Sequence, residues 1–391
     1  MNATATLADP VPADSTTLKA TTRALLPELR AHASTIESAR RVPDGIVEQL
    51  RDLRLFALQT PAELGGLELD PLDTVEIVET LAQGDASVAW CVMIGAGTNA
   101  LAARLPEQAA RELFTRADGH DVISGGSFHP RGEVVAVDGG YRLTGRWAFA
   151  SGSQHADWLC GGAIVPTQSG AEHRLLFVPA CSVTIVDTWH VSGLRGTGSH
   201  DFEVDSVFVP RDHTMTLNDV GWARTPLSRI PGFTGLLPVM AAVTLGVARA
   251  AIDEFVTIAL DKTPYRSSRL LYERETVQSD IAKAEASLRS ARAFLVDAFS
   301  DNWSSVCAGQ ELSTEQRALG RLAAVHAAHA SASVVDTCYE LAGGSSIYDH
   351  HVLQRHFRDV HTATQHVALA SSGFETVGRV LFGLEPDTTL L

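Results

Sequence analysis

The stretch GRWAFASGSQHADW, residues 145–158, decides how the middle of the chain is read. Just before it, VVAVDGGYRL (134–143) alternates apolar and polar residues around Asp138-Gly139-Gly140. Asp-Gly or Gly-Gly between two alternating runs predicts a β-hairpin. The second strand carries Trp147 and Phe149, which share a face because side chains two apart on a strand point the same way. Ser151 extends that face. One reading is a flat aromatic wall with a hydroxyl at its edge, shaped for a planar heterocycle. The other is a sandwich strand with its aromatics in the core, since aromatics favour strands.

Outward from this stretch, short alternating runs continue at 122–128, 133–137, 141–151, 158–165, 174–178, 183–187 and 202–209. Such spacing predicts a small antiparallel barrel or sandwich. On its N-terminal side the pattern is helical: 18–39, a helix opened by Pro43 with Ile46, Val47, Leu50 and Leu53 in register, 71–83 and 106–117. Residues 85–103 are small and apolar and predict a buried helix, and 1–17 read as a loose tail. After Thr216 four long helical stretches, 236–260, 273–299, 314–341 and 352–380, predict an antiparallel bundle. Helices, then strands, then helices make an α+β chain, mostly α. Domains are expected at 1–120, 121–215 and 216–391.

Composition narrows the function. The chain has 391 residues, 45% of them hydrophobic and 20% charged, enough for a large core. A net charge of −15 argues against nucleic acid or an anionic membrane as partner. Cys91, Cys160, Cys181, Cys307 and Cys338 are scattered, without a Cys-x-x-Cys pair, which predicts no disulfide framework or structural metal and suits the reducing cytoplasm. The first residues lack the basic and apolar regions of a signal peptide. No apolar run is read as membrane-spanning, the nearest being 236–248, interrupted by Pro238.

Two motifs have competing readings. Gly95-Ala96-Gly97-Thr98-Asn99-Ala100 matches a dinucleotide loop, but helical patterns flank it, so close helix packing is the better account. His351, His356, His361 and His366 recur every fifth residue. On a helix, neighbours so spaced sit ~140° apart and do not converge on one metal ion. An imidazole among them is a candidate for moving a proton. A G-x-S-x-G nucleophile elbow is absent from the sequence.

Taken together, the order of elements and five short segments resemble the acyl-CoA dehydrogenase superfamily over nearly the whole chain. The segments are Pro61-Ala62-Glu63-Leu64-Gly65-Gly66-Leu67, the run from Val191 through Gly198-Ser199, Val207-Phe208-Val209-Pro210, Leu341-Ala342-Gly343-Gly344, and Arg355-His356-Phe357-Arg358-Asp359. The resemblance implies an N-terminal helical domain, a middle β-domain, a C-terminal four-helix bundle, and a homo-oligomer, tetramer or dimer, with flavin at the interface. Dehydrogenases of the family carry a glutamate base soon after Arg-Asp. Here Asp359 is followed by VHTATQHVALASSG, with no carboxylate until Glu375.

That departure, and the phrase Gly-Arg-Trp-x-Phe-x-Ser-Gly, are similar to the branch of two-component flavin-dependent monooxygenases. The implied activity is hydroxylation of a phenol- or indole-type aromatic substrate through a flavin C4a-hydroperoxide. FADH2 ahead of FMNH2 would come from a separate reductase, with O2 as cosubstrate. The resemblance places Ser151 at flavin N5 and His366, with His361 second, beside C4a. Trp147, Phe149, Ser127, Phe128 and His129 would line the ring, with Trp189 nearby. Arg269, Gly343 and Gly344 would meet the phosphate or adenine end from a neighbouring subunit. The alternative is an acyl-CoA dehydrogenase with a relocated glutamate.

Overall fold

The computed structural model describes residues 14–167, 170–387 and 391. Most of the expected tail lies outside the described residues, but helix begins at Ser15, with the Asp14 carboxylate accepting from Thr16 N–H at 2.9 Å. The N-terminal helices are α1 (Ser15–Ala24), α2 (Leu26–Ala39), α3 (Asp44–Asp52), α4 (Pro71–Ala82), α5 (Ala86–Ala100) and α6 (Glu107–Phe114). The single helix expected over 18–39 is split at Leu25, where Pro27 in the first turn of α2 has no N–H to continue the ladder. Asp70 caps α4 through the N–H groups of Leu72 and Asp73, and Asp85 caps α5 through Val88 N–H.

Helix α5 is buried almost all round. A Cβ on Gly95 would lie 2.8 Å from the Phe56 ring, and one on Gly97 would lie 2.3 Å from Leu236, so both glycines serve helix packing. The stretch Ala86–Arg104 is long and apolar enough to cross a membrane, which the sequence reading did not identify. Inside the fold 89% of it is buried, as a core helix.

The strands are β1 (Ser124–Val137), β2 (Gly140–Ala150), β3 (Trp158–Thr167), β4 (Gly170–Pro179), β5 (Thr184–Val186), β6 (His200–Pro210) and β7 (Thr214–Met215), in the order β5-β6-β2-β1-β3-β4-β7. Asp138-Gly139 closes the β1–β2 hairpin, with Val137 opposite Gly140. All pairings are antiparallel except β1 with β3. The two strands expected at 122–128 and 133–137 are one bent strand. Its first half pairs with β3, its second with β2, and irregularities at Ser127, Pro130 and Gly132 make the bend. Ser127-Phe128-His129 therefore belongs to a strand.

Trp147 and Phe149 do not share a face. Phe149 has φ +67°, and the β2–β6 register shifts between Trp147 and Ala150. That irregularity breaks the simple alternation of the pleat. Trp147 is fully buried, stacked on Phe202 at 4.9 Å, with its Nε1–H donated to Gly162 O at 2.9 Å. Gly132, Gly145 and Gly161 make room for its ring: a Cβ on any of them would come within 2.7 Å of it. Phe149 is 71% exposed. Trp147 is thus a core residue and leaves the expected aromatic wall.

The C-terminal helices are α7 (Pro226–Arg229), α8 (Leu237–Asp261), α9 (Glu275–Cys307), α10 (Thr314–Ala342), α11 (Val352–Ala363) and α12 (Ser372–Leu381). Residues of α1–α5 and α8–α11 share one core, while the β-domain has its own around Trp147 and Phe202. The fourth long helix is broken over 364–371. Thr362 and Thr364 hydroxyls bond the carbonyls of Arg358 and His361, competing with the helical ladder. The buried Arg321 guanidinium takes the freed Val367 carbonyl at 3.1 Å. His366 thus sits in a turn, off the helix assumed by the five-residue spacing. Removing the β-domain core in Trp147→Ala is expected to cost about 3–5 kcal/mol, read as a lower urea midpoint.

Candidate active site

Strand β2 ends at Ala150, and the chain turns at once: Ser151 N–H donates to Phe149 O at 3.0 Å, and Gly152 N–H to Thr197 O at 2.9 Å. The buried Ser151 hydroxyl is thereby set against α5 and the segment leading into β6. Trp90 of α5 donates its Nε1–H to Ser151 Oγ at 3.1 Å. Ser151 and Ser199 hydroxyls lie 2.7 Å apart, and Ser199 and Thr197 hydroxyls 2.6 Å apart. Thr197 also reaches Leu194 O at 2.8 Å, which accepts from Trp189 Nε1–H at 3.1 Å as well. Leu194 N–H donates to Asp359 Oδ1 of α11 at 2.6 Å.

His366 closes the group from the bundle side. Its ring packs edge-on against Trp90, 5.6 Å between centroids. Ala368 N–H donates to His366 Nδ1 at 3.2 Å. A ring that accepts at Nδ1 while neutral carries its proton on Nε2. Burial, helped by the nearby Arg321 charge, lowers its pKa to about 4. His366 is therefore a neutral hydrogen-bond donor near pH 7.

The structure brings Ser151 and His366 together through Trp90, a residue the sequence reading missed. Phe149 and Trp189 meet edge-to-face at 6.2 Å next to this group. Phe128 packs between the large helical core and a smaller cluster formed by α6, the segment before it and residues of β3 and β4, Ser127 is half-buried, and His129 is exposed. His361 faces elsewhere: its Nε2 lies 2.8 Å from Asp336 of α10 and its ring packs on Phe357. Arg269 pairs with Glu275 at 3.2 Å. The Gly343-Gly344 turn is tied to that end of the bundle by Lys262, which bonds Ala342 O and Ser345 Oγ. Most of α10, about 33 Å at ~1.5 Å per residue, separates this end from Arg321 beside His366. Within one chain these three residues belong to a different place from Ser151.

The fit to a flavin ring is good on local chemistry. Phe149 is an exposed aromatic held at a strained positive φ, and such strain persists where a site over-determines it. Beside it stand a second indole and a hydroxyl with a fixed partner set. Sequence patterns miss Trp90, Thr197 and Ser199 because their importance lies in partners from distant segments. A buried indole N–H does need an acceptor, however, and that is a usable signal for Trp90.

With this geometry established, comparison with known proteins identifies the class. The profile "Acyl-CoA dehydrogenase, N-terminal domain" matches residues 12–114, and "Acyl-CoA dehydrogenase, C-terminal domain" matches 238–371. The indole-3-acetate monooxygenase of Pseudomonas putida is 32% identical over 91% of both chains. The flavin-dependent monooxygenase oxygenase subunit HsaA of Mycobacterium tuberculosis is 31% identical, over 94% of this chain and 95% of its own. The HsaA crystal structure superposes with TM-score 0.90 and 29% identity, covering 97% of this chain and 100% of that one. XiaF from Streptomyces sp., in complex with FADH2 and glycerol, superposes with TM-score 0.89 and 27% identity over 96% and 98%. The chain belongs to the acyl-CoA dehydrogenase family, in its branch of flavin-dependent monooxygenase oxygenase components. It is a reduced-flavin-dependent aromatic hydroxylase.

Asp359 anchors the 191–199 segment from a fully buried position, and burial raises its pKa from the ordinary 3.8 to about 7. A raised carboxyl pKa contributes stability below the unfolded value, and that contribution is lost as pH rises through about 7. Between about pH 5 and about pH 8, the wild type is expected to lose stability relative to Asp359→Asn, which keeps an acceptor for Leu194. Urea midpoints of both proteins at the two pH values measure this.

Proposed function

We propose that this oxygenase component takes FADH2, ahead of FMNH2, from a separate reductase and hydroxylates a phenol- or indole-type ring. Reduced flavin supplies the electrons that activate dioxygen. The chain's own residues bind, orient and protect. Ser151 Oγ meets flavin N5 and keeps its proton in place. Phe149 and Trp189 flank the ring, with Ser127, Phe128 and His129 on the strand beside it. Trp147 acts indirectly, as the core under Phe149. The buried setting of Ser151 limits water at that atom.

His366 has the second role. With Nδ1 satisfied by Ala368, it presents Nε2–H as a donor to the oxygen being transferred. A pKa near 4 makes it a poor base at neutral pH, so donation is favoured over removing a substrate proton. His361, paired with Asp336, stands second. The observation that carries this reading is the one indole, Trp90, that gives its N–H to Ser151 and its ring edge to His366.

The assembly is read as a homotetramer or dimer. Leu381 at the end of α12, 78% exposed, Phe382 just after it at 85%, and Tyr265 at 94% suit burial against further copies. In such an assembly Arg269, Gly343 and Gly344 would serve a neighbour's flavin phosphates. Free thiols at all five cysteines suit a cytoplasmic setting, and the acidic charge suits neither nucleic acid nor an anionic membrane. His366→Ala is expected to lower product formation by about 10²–10⁴-fold while FAD binding stays near wild type. Reductase-coupled turnover and equilibrium flavin titration read the two quantities. Wild-type product yield in the variant would contradict the role of His366.

A further inference from the structure

The hydroxyl chain at Ser151 has a preferred direction. Trp90 Nε1–H only donates, so it occupies one lone pair of Ser151 Oγ. Each hydroxyl along Ser151, Ser199 and Thr197 has one proton to give. If Thr197 gives its proton to Leu194 O, Ser199 gives its own to Thr197, and Ser151 gives its own to Ser199. Every proton then has an acceptor. In the reverse direction Thr197 bonds Ser199, Ser199 bonds Ser151, and the buried Ser151 proton is left without a partner in this chain. An unsatisfied buried donor is costly, so the first direction is the resting one.

In that resting direction the remaining valence of Ser151 is a lone pair. It accepts a hydrogen bond and offers none. Reduced flavin carries a proton on N5, whereas oxidised flavin presents N5 as an acceptor. We infer that Ser199 and Thr197 are positioning residues that commit the Ser151 proton away from the flavin and thereby make the site select the reduced over the oxidised cofactor. This rests on the reading above that Ser151 meets N5. Reduced flavin binds without disturbing the chain. Donating to oxidised N5 takes the Ser151 proton from Ser199 and costs the chain one hydrogen bond, either Ser151–Ser199 or, if the chain reverses, Thr197–Leu194. The device suits an oxygenase that collects reduced flavin from another protein and must let oxidised flavin go.

The test measures dissociation constants for FAD and for anaerobic photoreduced FAD, without substrate or oxygen, in four proteins. In Ser199→Ala the Ser151 proton loses its acceptor and becomes free to reach oxidised N5. The ratio of oxidised to reduced dissociation constants is expected to fall roughly three- to tenfold, the worth of one neutral hydrogen bond. Thr197→Val keeps the side-chain shape, frees the Ser199 proton to turn back onto Ser151, and is expected to lower the ratio similarly. It also serves if Ser199→Ala is recovered unfolded. Ser151→Ala is expected to shift the ratio by removing the hydroxyl itself. A ratio that moves in Ser151→Ala but stays at the wild-type value in both chain variants overturns the inference and leaves the Ser151 reading standing. A ratio unmoved in Ser151→Ala overturns that reading and the inference with it.

Discussion

An indole N–H buried in an apolar helix has to find an acceptor, and Trp90 finds it in Ser151. That bond joins the N-terminal helices to the end of β2. The same ring packs against His366, joining both to the C-terminal bundle. Three segments that are distant in sequence therefore meet at one side chain. The hydroxyls of Ser199 and Thr197 and the Asp359–Leu194 bond continue the connection back to α11. The group is held by hydrogen bonds with few spare partners, which is what a site needs if one oxygen atom must keep a fixed orientation.

The β-domain supports this arrangement from beneath. Trp147 fills a space cleared by three glycines and is fixed by Phe202 and Gly162 O. Two residues on, the chain pays for a positive φ at Phe149, which turns that ring outward toward Trp189. A buried anchor and a strained, exposed neighbour make a rigid aromatic edge beside the Ser151 hydroxyl. On the bundle side, Arg321 performs a comparable service by holding the Val367 carbonyl in the interruption that carries His366.

The order of helices, strands and helices was legible because hydrophobic period changes visibly along the chain. Gly95 and Gly97 were legible as packing glycines because helical patterns flank them. What was not legible were local exceptions to a period. Alternation puts Trp147 and Phe149 on one face, and a single positive φ undoes it. The run 352–380 reads as helix because nothing before Gly373 forbids one, yet threonine hydroxyls and a distant arginine end it after Ala363. Ser151 and His366 were singled out through resemblance, and the structure brings them against the same indole. Trp90, Thr197 and Ser199 were not legible, because their partners come from segments far away in sequence.

The central claim is that the Trp90–Ser151–His366 group directs oxygen from dioxygen onto an aromatic ring. The most direct measurement supplies the protein with chemically reduced FAD, isotopically labelled dioxygen and a panel of phenols and indoles, and follows label by mass spectrometry. The account predicts a hydroxylated product carrying one labelled oxygen atom, formed without any nicotinamide once reduced flavin is provided. Absence of labelled product across the panel, together with anaerobic bleaching of protein-bound FAD by an acyl-CoA, would contradict it and make the chain a dehydrogenase.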